Sequence, residues 1–370
     1  MNKKKMLTAV VLIISMTFFL NACGNWGSEE GDNAENKTHI VKDVLGRKVE
    51  VPEKVKSIVP LGNTPRMITY LGVADKVVGL GSMDVDDITP LTAYAYANKE
   101  IWKNIPVVGT DAMGNTSYNA EEIVKCNPDV IFCTYTEDMV KEIEEKTGIP
   151  VVAVSAGNLF SSDYDDSLKI LGETCNVSDR AEKVISYIHD TLDDLDKRTS
   201  GISDSEKPSV LSAAATYKGA HGIEGIRAKD PVLEAINADN IAKDTAGKES
   251  VVEVEREQIL KWNPDYIFCD YSGAQLVKKD MKKNKSYYDQ LKAYKSKNIY
   301  QHPSSTSYFS NLEIPLVNCY YIGSVIYPEK FSDIDLEKKE KEIYKFFLGD
   351  ENFGEKLKKY GADYGRLNGN

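Results

Sequence analysis

The chain has 370 residues, 42% of them apolar, and carries 57 acidic against 46 basic side chains for a formal net charge of −11. That balance excludes a general nucleic-acid binder, whose affinity comes from neutralising phosphates with basic groups. With the N-terminal segment set aside, about 330 residues remain, more than one typical core holds and suited to two domains.

Lys3, Lys4 and Lys5 open the chain with positive charge, and residues 6–20 form an apolar run. A membrane-spanning helix needs about twenty residues, so the run fits a cleaved secretory signal over residues 1–22. Its end, Leu20-Asn21-Ala22-Cys23, resembles the lipobox of bacterial lipoproteins. The resemblance implies cleavage before Cys23 and lipid attachment to its sulfur. Acyl chains there would hold the protein on the extracytoplasmic face of the cell membrane, each buried methylene contributing roughly 0.8 kcal/mol. An ordinary signal with an incidental cysteine is the competing reading. The segment after Cys23 is rich in Gly, Asn, Ser, Asp and Glu. It cannot bury enough apolar surface to order itself, so residues 23–38 read as a lipidated cysteine and a flexible tether.

Residues 57–61 read as a strand and 65–71 as the helix after it. Strands over 77–80, 106–108 and 150–154 complete a first lobe, residues 39–160. Residues 165–174 and 178–198 read as helices of a linker, residues 161–201. In the second of these Ala181, Val184, Ile185, Ile188, Leu192 and Leu195 recur at helical spacing. Ser178 is a candidate N-cap, and Gly201 lies just past the end. A helix of about twenty residues is near 30 Å long, a stiff rod that predicts modest closure of the lobes on each other. Strands over 210–214, 251–254, 266–269 and 298–301 belong to a second lobe, residues 202–370. Alternation of strands and helices argues for βαβ units. The fold class is α/β, with two Rossmann-like lobes of parallel-rich sheet joined by one long backbone helix.

An internal repeat supports that division. Residues 121–135, EEIVKCNPDVIFCTY, and 257–271, EQILKWNPDYIFCDY, agree at ten of fifteen positions. Each copy reads as a short helix, a stop at Asn-Pro-Asp, where proline disfavours helix in its predecessor, and an apolar strand buried on both faces. Ligands of open α/β sheets bind beyond the carboxyl ends of strands. That rule puts Tyr135 and Tyr271 at a candidate site in each lobe, unless they are loop aromatics packing locally.

Residues 39–52, HIVKDVLGRKVEVP, with Asp43, Gly46, Arg47 and Pro52, resemble the opening hairpin of the helical-backbone (class III, iron-siderophore and cobalamin type) periplasmic binding proteins. Residues 56–80, notably YLGVADKVVGLG, are similar to that family's first strand-helix-strand unit, and the two Asn-Pro-Asp segments to its third strand in each lobe. The resemblance covers residues 39–348, and residues 311–347 are similar to a branch with molybdate- and iron-complex-binding members. It implies a monomeric solute-binding protein of an ABC importer that has no chemistry or cofactor of its own. Its partners would be a permease dimer with its ATPase and a small-molecule metal complex. A ferric siderophore leads, with cobalamin, haem or molybdate and tungstate as alternatives. A secreted lipoprotein enzyme and an adhesin are the rival classes; no Gly-x-Ser-x-Gly, His-Glu-x-x-His or phosphate-loop motif is present.

The strand ends supply the ligand-binding candidates: Asn63, Arg66, Thr110 and Tyr135 in the first lobe, and Tyr217, Lys218, His221, Tyr271, His302 and Tyr308 in the second. Arginine offers a fork of donors suited to anionic groups, and tyrosine a flat apolar face with one hydroxyl. Plainer roles stand beside these: Arg66 paired with a carboxylate, Lys218 solvated, His221 a turn residue. Glu121 and Glu257, related by the repeat, are candidates for docking to two permease subunits, or carboxylates favoured at helix starts by the macrodipole. The four histidines form no recognisable bare-metal site. Besides Cys23 the cysteines are Cys126, Cys133, Cys175, Cys269 and Cys319, an odd set without metal-ligand spacing that reads as buried thiols.

Overall fold

The computed structural model describes residues 37–367, apart from positions 87, 113, 114, 218, 246, 248, 249, 305 and 308, and leaves out the side chains of 111, 112, 115, 306, 307, 309 and 310. The signal segment, Cys23, the tether up to residue 36, Lys218 and Tyr308 therefore lie outside the described residues, and Thr38, expected to end the tether, opens the first strand.

The first lobe opens with an antiparallel hairpin of β1 (Thr38–Lys42) and β2 (Lys48–Pro52). Asp43 closes its turn by accepting the amides of Leu45 and Arg47 at 3.0 and 2.9 Å. Arg47 ties the turn to the body through Asp43 and Glu144, at 2.7 and 2.8 Å. After the hairpin come β3 (Ile58–Pro60), α1 (Thr64–Tyr70), β4 (Leu80–Gly81), α2 (Ala93–Trp102), β5 (Val107–Ala112), β6 (Asn115–Tyr118), α3 (Ala120–Cys126), β7 (Val130–Cys133), α4 (Glu137–Thr147) and β8 (Val151–Ala153). β3, β7 and β8 form a parallel sheet in that order, and β4, β5 and β6 a mixed one, with β4 parallel and β6 antiparallel to β5. A parallel bridge between Ile58 and Val77 joins the two.

Two linker helices follow, α5 (Ser162–Thr174) and α6 (Ser178–Thr199). α6 spans 22 residues, roughly 33 Å at 1.5 Å per residue. Its buried stripe is Ala181, Val184, Ile185, Ile188 and Leu195, with Leu192 half-buried. Ser178 is its first helical residue rather than its cap; Val177 holds that position without a side-chain bond. An arginine fastens each end. Arg180 donates to the carbonyls of Tyr70 and Phe346 at 2.8 and 2.5 Å, and Arg198 pairs with Asp333 at 2.7 Å.

The second lobe comprises β9 (Ser209–Ala213), β10 (Gly225–Arg227), α7 (Pro231–Ala235), β11 (Asp239–Asn240), β12 (Val251–Glu253), α8 (Arg256–Trp262), β13 (Tyr266–Asp270), α9 (Tyr271–Lys283), α10 (Lys285–Tyr288), α11 (Lys292–Lys295) and β14 (Ile299–His302). The short strands β15 (Thr306–Ser307) and β16 (Phe309–Ser310), then α12 (Glu313–Ile326), α13 (Leu336–Leu348), α14 (Phe353–Tyr360) and β17 (Gly365–Arg366) complete it. Its sheet runs β12-β10-β9-β13-β14-β17, with β11 on β9, and its parallel core β9-β13-β14 repeats the order β3-β7-β8.

The repeat is structural to the level of single bonds. Asn127 and Asn263 end α3 and α8 in the left-handed conformation, at φ 48° and 45°. Asparagine tolerates that conformation better than most residues, so asparagine terminates the helix and the proline keeps it from resuming. The aspartates then pin the neighbouring strand: Asp129 accepts the amides of Lys56 and Ser57 at 2.6 and 2.9 Å, and Asp265 accepts the Ser209 amide and hydroxyl at 2.9 and 3.0 Å.

Alternation along the strands explains their continuous apolar runs. Val130, Phe132, Val210 and Phe268 face one apolar layer shared by both lobes. Ile131 and Cys133 face a layer belonging to the first lobe, and Leu211, Ile267 and Cys269 one belonging to the second. The shared layer also takes in α5, α6, α12 and α13, so the chain from Lys37 onward is one compact unit. α12 is buried almost all round, as a helix apolar on every side must be. The C-terminal helices reach back to the first lobe, where Phe347 meets Tyr70 edge-on at 5.2 Å and Phe353 meets Tyr96 at 6.1 Å. Cys133, Cys175, Cys269 and Cys319 are buried and Cys126 is partly buried; burial pushes the Cys175 thiol up to about 12.

Replacing Asp129 or Asp265 with alanine strips backbone donors of their acceptor and should lower unfolding stability by about 1–3 kcal/mol each. Urea titration checks this; a wild-type midpoint for either variant would remove that aspartate from the account.

Candidate functional site

The carboxyl end of β3 is shaped by a close approach. Gly62 sits at φ +65°, and a Cβ there would lie 2.3 Å from Thr134 Oγ1. Only glycine lets the two strand ends come together so. The Asn63 amide then reaches Thr134 Oγ1 at 3.2 Å, and the Asn63 side chain donates to the Ala156 carbonyl at 3.4 Å. One turn on, Arg66 is fully buried. Its Nη1 donates to Asn63 Oδ1 at 2.5 Å, and its guanidinium lies 4.4 Å from the centre of the Tyr94 ring. Tyr94 in turn donates to Asp84 at 2.5 Å.

The chain between β14 and α12 crosses from the second lobe to this point. Asn311 donates to the Leu91 carbonyl at 2.7 Å, the Leu312 amide to the Tyr70 hydroxyl at 3.1 Å, and Tyr70 to Glu313 Oε2 at 2.5 Å. Glu313 is fully buried, and among the described residues its Oε1 has no hydrogen-bond partner. Burial holds its pKa above the ordinary carboxylate value, opposed by the Tyr70 bond and by Arg66. Burial also raises Tyr70, aided by Glu313. The lobes thus meet across a buried polar cluster of Asn63, Arg66, Tyr70, Tyr94 and Glu313. Sequence reasoning had only the first two. The signal for Tyr70 was its position four residues after Arg66, on the same face of α1; Glu313 gave none, since a glutamate opening a helix is usually solvated.

In the second lobe Asp270 organises the strand ends. It accepts the Thr216 amide at 2.8 Å and Arg227 at 3.1 Å, and the His302 ring lies 3.8 Å away. His302 is buried, with Nδ1 3.1 Å from the Asn318 side-chain nitrogen, and Ser304 lies 3.2 Å from the Thr216 hydroxyl. Asp270 and Arg227, the last residues of β13 and β10, were missed because charged residues are rarely buried unless paired.

The remaining candidates are scattered. Thr110 lies 3.4 Å from the Ser82 hydroxyl. Tyr135 lines a groove of about 730 Å³ formed with the hairpin turn, residues 154–156 and α5, and no other ligand-binding candidate lines it. Tyr271 donates to the Tyr360 carbonyl at 3.2 Å, which turns its hydroxyl toward the C-terminal helix α14. The two repeat-related tyrosines therefore have different surroundings. Tyr217 is exposed, and His221 bonds the Tyr217 carbonyl and Glu253. Glu121 and Glu257 are exposed at the second position of α3 and of α8. Among the described residues no group of three or more His, Cys, Asp or Glu is placed to hold a metal ion.

A sequence profile of the periplasmic binding proteins matches residues 64–306. The chain belongs to the periplasmic binding protein family. Among curated relatives it is 26% identical over 277 residues to the uncharacterized ABC transporter substrate-binding lipoprotein YvrC of Bacillus subtilis, covering 72% of this chain and 81% of that one. It is 24% identical over 343 residues to the molybdate-binding protein MolA of Haemophilus influenzae, covering 83% and 90%. Among solved structures, a periplasmic solute binding protein from Veillonella parvula shares the fold with a TM-score of 0.65 at 22% identity, over 85% of this chain and 93% of that one. In this periplasmic binding protein the α/β lobes and the helix between them are those of the family, and its members are transport-related binding proteins.

Tyr70→Phe removes one of two donors to the buried Glu313 Oε2, the Leu312 amide at 3.2 Å being the other, and should cost about 1–3 kcal/mol. Because the folded pKa of Glu313 is raised, its protonated form is the favoured one; stability should fall as pH rises above the ordinary carboxylate value. Glu313→Gln should flatten that slope. Urea unfolding across pH tests both, and equal slopes in wild type and Glu313→Gln would contradict the assignment.

Proposed function

We propose that this solute-binding protein of an ABC transporter captures an anionic metal complex between its lobes and delivers it to a permease dimer with its ATPase. The observation that carries the reading is Arg66: a wholly buried guanidinium at the carboxyl end of β3, held by Asn63 and facing the segment that arrives from the second lobe. A guanidinium presents a rigid fork of donors that matches carboxylate and oxyanion oxygens. The second lobe adds Arg227 and His302 behind the hydroxyls of Thr216 and Ser304. A ferric siderophore or similar chelate satisfies this chemistry, bringing its own metal ligands. A compact oxyanion, molybdate or tungstate, is the second reading. The depth of Arg66 favours a small ligand, and a relative that aligns with most of the chain is named as a molybdate-binding protein.

The same reading makes Cys23 the lipid attachment and the tether a spacer to the membrane. No helix among the described residues is long and apolar enough to cross a membrane. Glu121 and Glu257, exposed at matching places in the two lobes, are the docking carboxylates for two similar permease subunits.

Thermal unfolding of the protein with ferric catecholate and hydroxamate siderophores, haem, cobalamin, molybdate and tungstate tests the ligand class, since binding to the native state alone raises stability. One metal complex should raise the midpoint, and Arg66→Ala should weaken its binding about tenfold or more, the loss of one charge-assisted pair. No shift with any anionic complex, or full affinity in Arg66→Ala, would refute the reading. For docking, Glu121→Arg combined with Glu257→Arg should leave solute affinity unchanged and abolish uptake by cells; normal uptake would place the contact elsewhere.

A further inference from the structure

The loop that carries Tyr217 is held by a histidine in an unusual bonding state. His221 Nε2 lies 2.7 Å from the Tyr217 carbonyl, and Nδ1 lies 2.9 Å from Glu253 Oε1 on β12. A carbonyl and a carboxylate can only accept, so both ring nitrogens must donate. Neutral imidazole has one N–H, and only imidazolium makes both bonds at once. Two glycines let neighbouring backbone approach this residue closely. A Cβ on Gly225 would lie 2.3 Å from His221 Cβ, and one on Gly273 would lie 2.4 Å from the His221 carbonyl oxygen and 2.2 Å from that of Ala214. The other end of the loop is fastened where the Thr216 amide donates to Asp270 at 2.8 Å, and an antiparallel bridge pairs Thr216 with Ala220.

We infer that His221 is a positioning residue: a doubly donating imidazolium that locks the 216–221 loop to β12, fixes where Tyr217 stands at the end of β9, and makes solute capture depend on pH. The inference rests on the reading of the strand ends as the capture site, and it replaces direct solute contact as the role of His221.

Three carboxylates share the groove with the ring: Glu253 on β12, which bonds it and favours its charged state, Glu255 just beyond, and Glu224 ahead of β10, the last already paired with the Arg256 cation. The Tyr217 carbonyl holds the pKa of His221 above the ordinary histidine value; partial burial opposes it and Glu253 supports it. With a raised folded pKa, the lock is complete below the ordinary histidine value and is lost as pH rises through the raised one. Above that point the neutral ring keeps only one of the two bonds, so either the closure on the Tyr217 carbonyl or the tie to β12 is lost.

The test uses the ligand-free protein. Proton NMR of the four histidines, with His221 identified by its loss in His221→Gln, should give a titration midpoint above the ordinary ~6.5, moving toward that value in Glu253→Gln. Amide exchange over residues 216–221, corrected for intrinsic pH dependence, should quicken about tenfold as pH passes the midpoint, the equivalent of one charge-assisted bond. It should be fast at every pH in His221→Gln. Molybdate and ferric catecholate affinities, where either binds, should fall over the same pH interval in wild type and not in His221→Gln. A His221 midpoint at or below the ordinary value, or loop exchange indifferent to His221→Gln, overturns the inference. The titration and exchange need no ligand, so a protein that binds no solute would refute the transport reading while these two readouts still decide the lock.

Discussion

A guanidinium taken wholly out of water must be compensated inside the protein, and Arg66 is such a group. The architecture converges on that requirement. Gly62 lets the ends of β3 and β7 close enough for Asn63 to stand beside the guanidinium, and Tyr94 covers it with a ring face. Glu313, arriving on α12 from the other lobe, lies near enough for Arg66 to influence its titration. Removing this charge from water costs stability, and a binding protein gains by the expense: an anion that reaches Arg66 meets a donor held in place and shielded from competing water.

The duplicated lobes explain how that cluster comes to lie at their junction. Each lobe has a parallel core of the same order, pinned by the same aspartate-to-strand bonds, and its central strand follows a helix ended by the same left-handed asparagine. Strand residues of one parity face outward layers belonging to each lobe, and those of the other parity face a common layer. α6 is riveted at both ends through Arg180 and Arg198, and α13 and α14 grip α1 and α2. A junction held by two sets of helices favours small adjustments at the polar cluster over wide opening of the lobes.

Much of this frame could be read from the sequence, because it is written in local signals. The apolar runs at 58–60, 130–133, 209–213 and 266–270 are bounded by turn residues, and α6 shows six apolar positions at helical spacing. α2 escaped because AYAYANKEIW has neither a capping side chain nor a clear apolar stripe. The site was harder. Strand ends could be located and Asn63 and Arg66 named, but the partner of Tyr70 lies 243 residues away. No local pattern announces a buried glutamate. Tyr271 sits at its strand end as the repeat required, yet the nearby Tyr360 carbonyl takes its hydroxyl. His221 shows the same limit from the other side: a histidine between glycines has the composition of a turn, and only the two acceptors flanking its ring reveal its charge.

The central claim is that the solute's metal lies where the two lobes meet over Arg66. Anomalous X-ray scattering from crystals of the protein loaded with its solute, collected at the metal's absorption edge, locates that atom directly. The account predicts one strong peak between the ends of β3 and β14, a single ligand atom away from the Arg66 guanidinium. A peak in the groove beneath the hairpin beside Tyr135, or a bound solute with no metal at all, would contradict it.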